Sequence, residues 1–114
     1  AENLLHIIGE DYRILNAIKG SRLGPEEPTR KEYKTKADIA KLMKQVVTDG
    51  GALLKNADDM FLVQEIKDPY DPSSMQHVWY EMVGAIEHSG EHYGQLVVYY
   101  RVAGLVPPDS RPKK

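Results

Sequence analysis

Apolar residues recur at helical spacing in three stretches of the chain. In the first, Leu4, Leu5, Ile8, Tyr12, Leu15 and Ile18 fall three or four residues apart, which predicts a helix over Glu2 to Lys19 with one buried stripe. Gly20 follows where a helix C-cap takes a left-handed residue. The second stretch carries Ile39, Leu42, Met43, Val46 and Val47, then Leu53 and Leu54 beyond Gly50-Gly51. Thr35-Lys36-Ala37-Asp38 precedes it with capping-box spacing, aspartate replacing the usual glutamate. The two glycines cost roughly 1 kcal/mol each relative to alanine, and they predict close helix packing or a bend, not a phosphate loop. The third stretch runs from Met75 to Ala103 without a proline. Ser73-Ser74-Met75-Gln76 opens it with serine-to-glutamine capping spacing, and Gly104 with Pro107-Pro108 closes it. At the α-helical rise this last helix would be about 40 Å long.

Between these stretches, Ser21 to Lys34 (with Gly24, Pro25 and Pro28) and Lys67 to Ser74 (with Pro69 and Pro72) read as loops. The expectation is an all-α fold in a single domain spanning residues 1–114. Three antiparallel helices leave one side of an up-and-down bundle open, so a fourth is expected from upstream residues or from another subunit. The last helix carries Val78, Met82, Ala85 and Tyr99 on one face and Trp79, Val83, Ile86, Val97 and Tyr100 on others. Apolar girth of that kind predicts burial on more than one side. The chain enters its first helical pattern almost at once, which suggests a fragment or a mature form lacking upstream residues.

Composition adds exclusions. The formal net charge is −2, from 15 basic and 17 acidic residues, and the basic tail Arg111, Lys113 and Lys114 is short and reads as a solvated terminus. Nucleic-acid binding, which rests on clustered cations, is not expected. The absence of cysteine removes disulfides, thiolate ligands and a cysteine nucleophile together. No apolar run approaches the ~20 residues needed to span a bilayer, and no signal-peptide pattern opens the chain, so a soluble chain is expected.

The chemistry lies in the histidines. His88 and His92 stand one helical turn apart on the same face and can reach a single ion. Their neighbours on that stripe (Ala85, Gln95, Leu96, Tyr99) are apolar or neutral, so the pair is expected to point toward a core, where two imidazoles need partners. The alternative is a chance pair on a solvated face. Ser89 stands where zinc proteases carry their glutamate, which disfavours that mechanism. His6, between Leu5 and Ile7, is either a third ligand or a hydrogen-bonded boundary residue. His77 lies three turns from His88 and is read as facing the surface or a loop. Glu10, one turn after His6, and Glu91, beside His92, could orient an imidazole or be solvated surface charges. Trp79, Tyr93, Tyr99 and Tyr100 read as core, with a tyrosine hydroxyl such as that of Tyr99 as a possible lining of a metal cavity.

The segment His88-Ser-Gly-Glu-His92-Tyr93-Gly94-Gln95-Leu96, followed by Gly104-Leu105-Val106-Pro107-Pro108, resembles the final helix of the DinB-like damage-inducible family, whose pattern is H-x-x-x-H-[YR]-G-Q-[LI]. Leu4-Leu5-His6-Ile7 resembles the second helix of that family. The resemblance implies a four-helix bundle of up-down-down-up order, with the family's first helix missing here, in which His6, His88 and His92 hold a divalent ion (zinc, nickel or manganese) completed by water. It also implies a homodimer and a bacterial, cytoplasmic setting. Some relatives are thiol-dependent isomerases or S-transferases that use a low-molecular-weight thiol; many have no assigned activity. The charged, proline-rich loop before Thr35 would set substrate choice.

Two functions follow as expectations. Three imidazoles leave a coordination position open to a thiol or water, as in a metal-dependent enzyme acting on a small molecule. Alternatively the ion only ties the first and last helices together in a non-catalytic binding protein. A DNA-repair role finds no basic face to support it.

Overall fold

The computed structural model describes residues 1–112. Helix α1 spans Glu2–Lys19, α2 Lys36–Leu54 and α4 Val78–Val102. Between α2 and α4 lie a one-turn helix, α3 (Asp59–Leu62), and two short strands, β1 (Glu65–Lys67) and β2 (Met75–His77); a 3-10 turn follows at Pro108–Ser110. The fold is mostly helical, but the expectation of helices alone needs correcting for the β1–β2 hairpin.

The caps explain where α1 and α2 stop and start. Gly20 closes α1 in the left-handed conformation, its N–H donating to the Ala17 carbonyl. Thr35 opens α2 with the reciprocal capping box: its hydroxyl accepts from the Asp38 N–H at 3.1 Å, and its own N–H donates to Asp38 Oδ2 at 2.8 Å. Ser73-Ser74 does not cap α4. The Ser74 hydroxyl donates instead to Asp68 Oδ2 and to the Asp71 carbonyl. Asp68 also accepts from the N–H groups of Tyr70 and Asp71, and these bonds hold its carboxyl below the usual carboxylate range. That hub turns the chain so that Met75 to His77 pair antiparallel with Glu65 to Lys67, and α4 begins at Val78 rather than Met75. His77 Nδ1 donates to the Val63 carbonyl at 2.9 Å, and the side chain faces the loop as expected.

Helix α1 is the centre of the molecule. Leu5, Ile8, Tyr12 and Leu15 pack on Ile39 and Val46 of α2, while Ile14 and Ile18 pack with Ile66 of β1 and Val78 of α4. The single predicted stripe is therefore two, with Ile18 on the second. The segment after α1 folds back along it: the Asn16 side chain binds the Leu23 N–H and the Gly24 carbonyl, and farther on Glu26 and Pro28 lie against Gly9. This return brings α2 parallel to α1, with Tyr12 donating to Asp49 at 2.9 Å and Gly50 beside Leu15. Helix α4 runs antiparallel to α1, since Asn3 meets Gln95 at one end and Ile14 and Ile18 meet Val78 at the other. The three helices are thus not mutually antiparallel.

Within this single chain α4 is not covered on several sides. Val78 and Glu81 are its buried residues, whereas Ile86 is 72% exposed, Val102 83%, and Trp79, Tyr93 and Tyr99 are exposed too. Among the described residues α1, strand β2 and α3 make the main contacts with α4, so its apolar girth exceeds what this single chain covers. No helix among the described residues is long and apolar enough to cross a membrane.

Candidate metal centre

His6 sits in the second turn of α1; His88 and His92 sit one turn apart in the middle of α4. Antiparallel packing of the two helices brings the rings together, with centroids 4.4–5.0 Å apart in edge-on orientations. His88 Nε2 lies 3.1 Å from His6 Nε2 and 3.0 Å from His92 Nε2. The group lies nearer the surface than a core: His6 is exposed, and the other two are half-buried.

An imidazole nitrogen carries either one hydrogen or one lone pair. His88 Nε2 therefore cannot make a straight hydrogen bond to both neighbours. A cation placed among the three nitrogens accepts all three lone pairs. Ligands at zinc–nitrogen distances of about 2.0–2.1 Å in a tetrahedral shell stand about 3.3 Å from one another, within a few tenths of an ångström of the spacing found here. Burial, then the charges of His92 and His6, push the His88 ring below its ordinary pKa, while the Glu10 and Glu91 carboxylates oppose the shift. The net direction favours the neutral form, which is the form that binds a metal.

The surroundings divide the remaining predicted residues. Among the described residues Glu10 makes no hydrogen bond to an imidazole: its Oε2 accepts from the Tyr70 hydroxyl at 2.9 Å, and Arg13 Nε lies 3.6 Å from Oε1. Glu91 is exposed and acts on His88 through charge alone. Tyr99 is 59% exposed, two turns beyond His92, and does not line the centre. Tyr93, read as core, instead donates to Asp109 and ties the chain after α4 back onto the helix.

Two residues with no predicted role complete the centre. Gln95 Oε1 lies 2.8 Å from His92 Nδ1, and Asn3 Nδ2 donates to the same oxygen at 3.0 Å. Their signal was present in the spacing, since Gln95 follows His92 by three residues and Asn3 precedes His6 by three, each on the ligand's own face. His88 Nδ1 is buried with no partner among the described residues.

No protein-family model matches the chain, and no curated protein matches it significantly. The case for function therefore rests on the site itself.

Beside His6 an open cleft of roughly 620 Å³ runs along α1 toward Arg13, its far wall formed by residues 26–31. That wall is fixed in place. A Cβ on Gly9 would lie 2.5 Å from the Glu26 carbonyl oxygen, so only glycine lets the wall approach so closely. Asn16, nearly buried, anchors the same segment through Glu26 Oε1 at 2.8 Å.

Proposed function

We propose that the chain binds a divalent metal ion through His6, His88 and His92 and works as a metal-dependent thiol S-transferase or isomerase, in the manner of the DinB-like proteins it resembles. The convergence of three Nε2 atoms next to a preformed cleft carries this reading. Three imidazoles without a carboxylate favour zinc or nickel over manganese, which prefers oxygen ligands. When bound, the ion supplies a Lewis acid that acidifies a low-molecular-weight thiol placed against it.

The residues of the chain do the rest. His88, depressed in pKa, offers a lone pair at neutral pH. Glu10 and Glu91 supply negative charge near the cation without occupying its shell. The cleft along α1 receives the small-molecule substrate from the side on which His6 is exposed. The parallel course of α1 and α2 supports the family's helix order, and the uncovered apolar side of α4 supports a homodimer.

One observation favours the non-catalytic alternative. The first turn of α1 has no side-chain cap, and an ion shared between α1 and α4 would fasten that end and contribute folding energy. Metal analysis of purified protein, followed by conjugation assays with glutathione, mycothiol and bacillithiol against a generic electrophile, separates the readings. About one ion per chain, lost in His88→Ala, with metal-dependent turnover of a thiol is the expected result. Metal without turnover leaves the stabilising role, and no metal, with His88→Ala unchanged in stability, removes both.

A further inference from the structure

The surroundings of the three ligands are unequal. His88 Nδ1 is buried without an acceptor, and the His92 ring is held by a side-chain pair drawn from both helices. A histidine that coordinates through Nε2 must carry its hydrogen on Nδ1, and the group that accepts this hydrogen fixes both the tautomer and the ring's angle. At His92 that acceptor is Gln95 Oε1, 2.8 Å away.

An amide side chain can present either end, and here the two ends have opposite consequences. With Oε1 toward the ring, Nδ1 holds the hydrogen and the Nε2 lone pair faces His88 and His6. Turned around, Gln95 would donate to Nδ1, and the hydrogen would move to Nε2, where it would block a cation. Asn3 selects between them. Its Nδ2 donates to Gln95 Oε1 at 3.0 Å, which holds the oxygen end in place, and its own 3.3 Å approach to His92 Nδ1 is the longer of the two contacts at that nitrogen. The tautomer of His92 is therefore the quantity that decides.

We propose that Gln95, held by Asn3, is the positioning residue of the metal centre: it commits His92 to the Nδ1–H tautomer before any ion arrives. This rests on the reading of His6, His88 and His92 as ligands, and the test keeps the two apart. The first measurement uses the full chain without metal, at a pH where the imidazoles are neutral, and reads the His92 tautomer from long-range proton–nitrogen NMR correlations. Nδ1–H in the wild type, and a mixture of tautomers in Gln95→Leu, are expected. The second measures zinc affinity by competition with a chromophoric chelator. Gln95→Leu is expected to bind zinc roughly 10–100-fold more weakly, while Gln95→Glu, which can only accept at this position, restores both tautomer and affinity. Gln95 is exposed, so neither variant removes a core contact. A wild-type His92 carrying its hydrogen on Nε2 overturns the proposal, as does a Gln95→Leu variant unchanged in tautomer and zinc affinity. A tautomer that shifts as expected in a protein that binds no zinc upholds the positioning role of Gln95 and sinks the metal reading alone.

Discussion

Asp11→Asn should stabilise the protein at neutral pH and leave it nearly unchanged in acid. Asp11 projects from α1 into the groove between α2 and α4, among Ile14, Leu15, Val46, Met82 and Ala85. Burial in these apolar surroundings, then the charge of Glu10, raises its carboxyl from 3.8 to about 6. A folded-state pKa above the unfolded value means that the fold prefers the protonated acid. The native chain then holds more protons than the unfolded one between about pH 4 and 6, so stability declines as pH rises through that window and stays reduced above it. The shift alone corresponds to ~3 kcal/mol. The carboxylate is partly open to water, and screening lowers the realistic figure to roughly 1–2 kcal/mol. Asparagine keeps the shape and never ionises. Urea unfolding of both proteins at pH 4 and pH 7.5 should therefore show a gain near that size at the higher pH and almost none at the lower. A thermal melt should move by roughly 4–8 °C for a chain of this length. An equal difference at both pH values, or an asparagine variant less stable at pH 7.5, would refute the assignment of Asp11 as a desolvated carboxylate.

Three further outcomes follow from local geometry. Gly24→Ala should cost about 1–3 kcal/mol in urea unfolding, because its Cβ would lie 2.3 Å from the Tyr12 ring, which is 1% exposed and held by Asp49; Gly51→Ala, with nothing within 4 Å, should instead stabilise by up to about 1 kcal/mol. Thr35→Ala should lower stability by about 1 kcal/mol through loss of the capping box, and Thr35→Ser should keep most of it. Stripping metal with a chelator should lower the melting temperature of the wild type and slow-exchange protection at the start of α1, with no such effect in His92→Ala.

The long helices were legible because their signals are local. The Thr35 box, the Gly20 cap and the three-to-four spacing of Leu5, Ile8, Tyr12 and Leu15 each act within a turn or two. The hairpin was not, since each strand has three residues and offers too little alternation to register. Ser73 and Gln76 imitate a capping box, and what defeats the imitation is Asp68, whose carboxylate gathers the Tyr70, Asp71 and Ser74 donors. The parallel course of α2 depends on Asn16, Gly9 and Gly24 meeting a segment up to 19 residues away in sequence, and no periodicity records such a meeting. How much of α4 this single chain covers was not legible for a related reason. Apolar residues on a helix show what it can cover, whereas its neighbours determine what is covered, and among the described residues α1 is the long helix that makes the main contact with α4.

The same distinction divides the site. Two of its imidazoles are adjacent because any α-helix makes residues 88 and 92 adjacent. The third is adjacent because Ile14 and Ile18 seat against Val78 several turns away and set the register of α1 on α4. The residue type and spacing of His6 were visible in the sequence, but its distance from His88 depends on that remote packing. Gln95 and Asn3 stand one step further on. Each lies on a visible helical face, yet the direction of an amide is decided by its partner on the other helix, 92 residues away in the chain. Candidate site residues placed by their own helix can therefore be named from the sequence, whereas those placed by a hydrogen bond across the helix interface need the fold first.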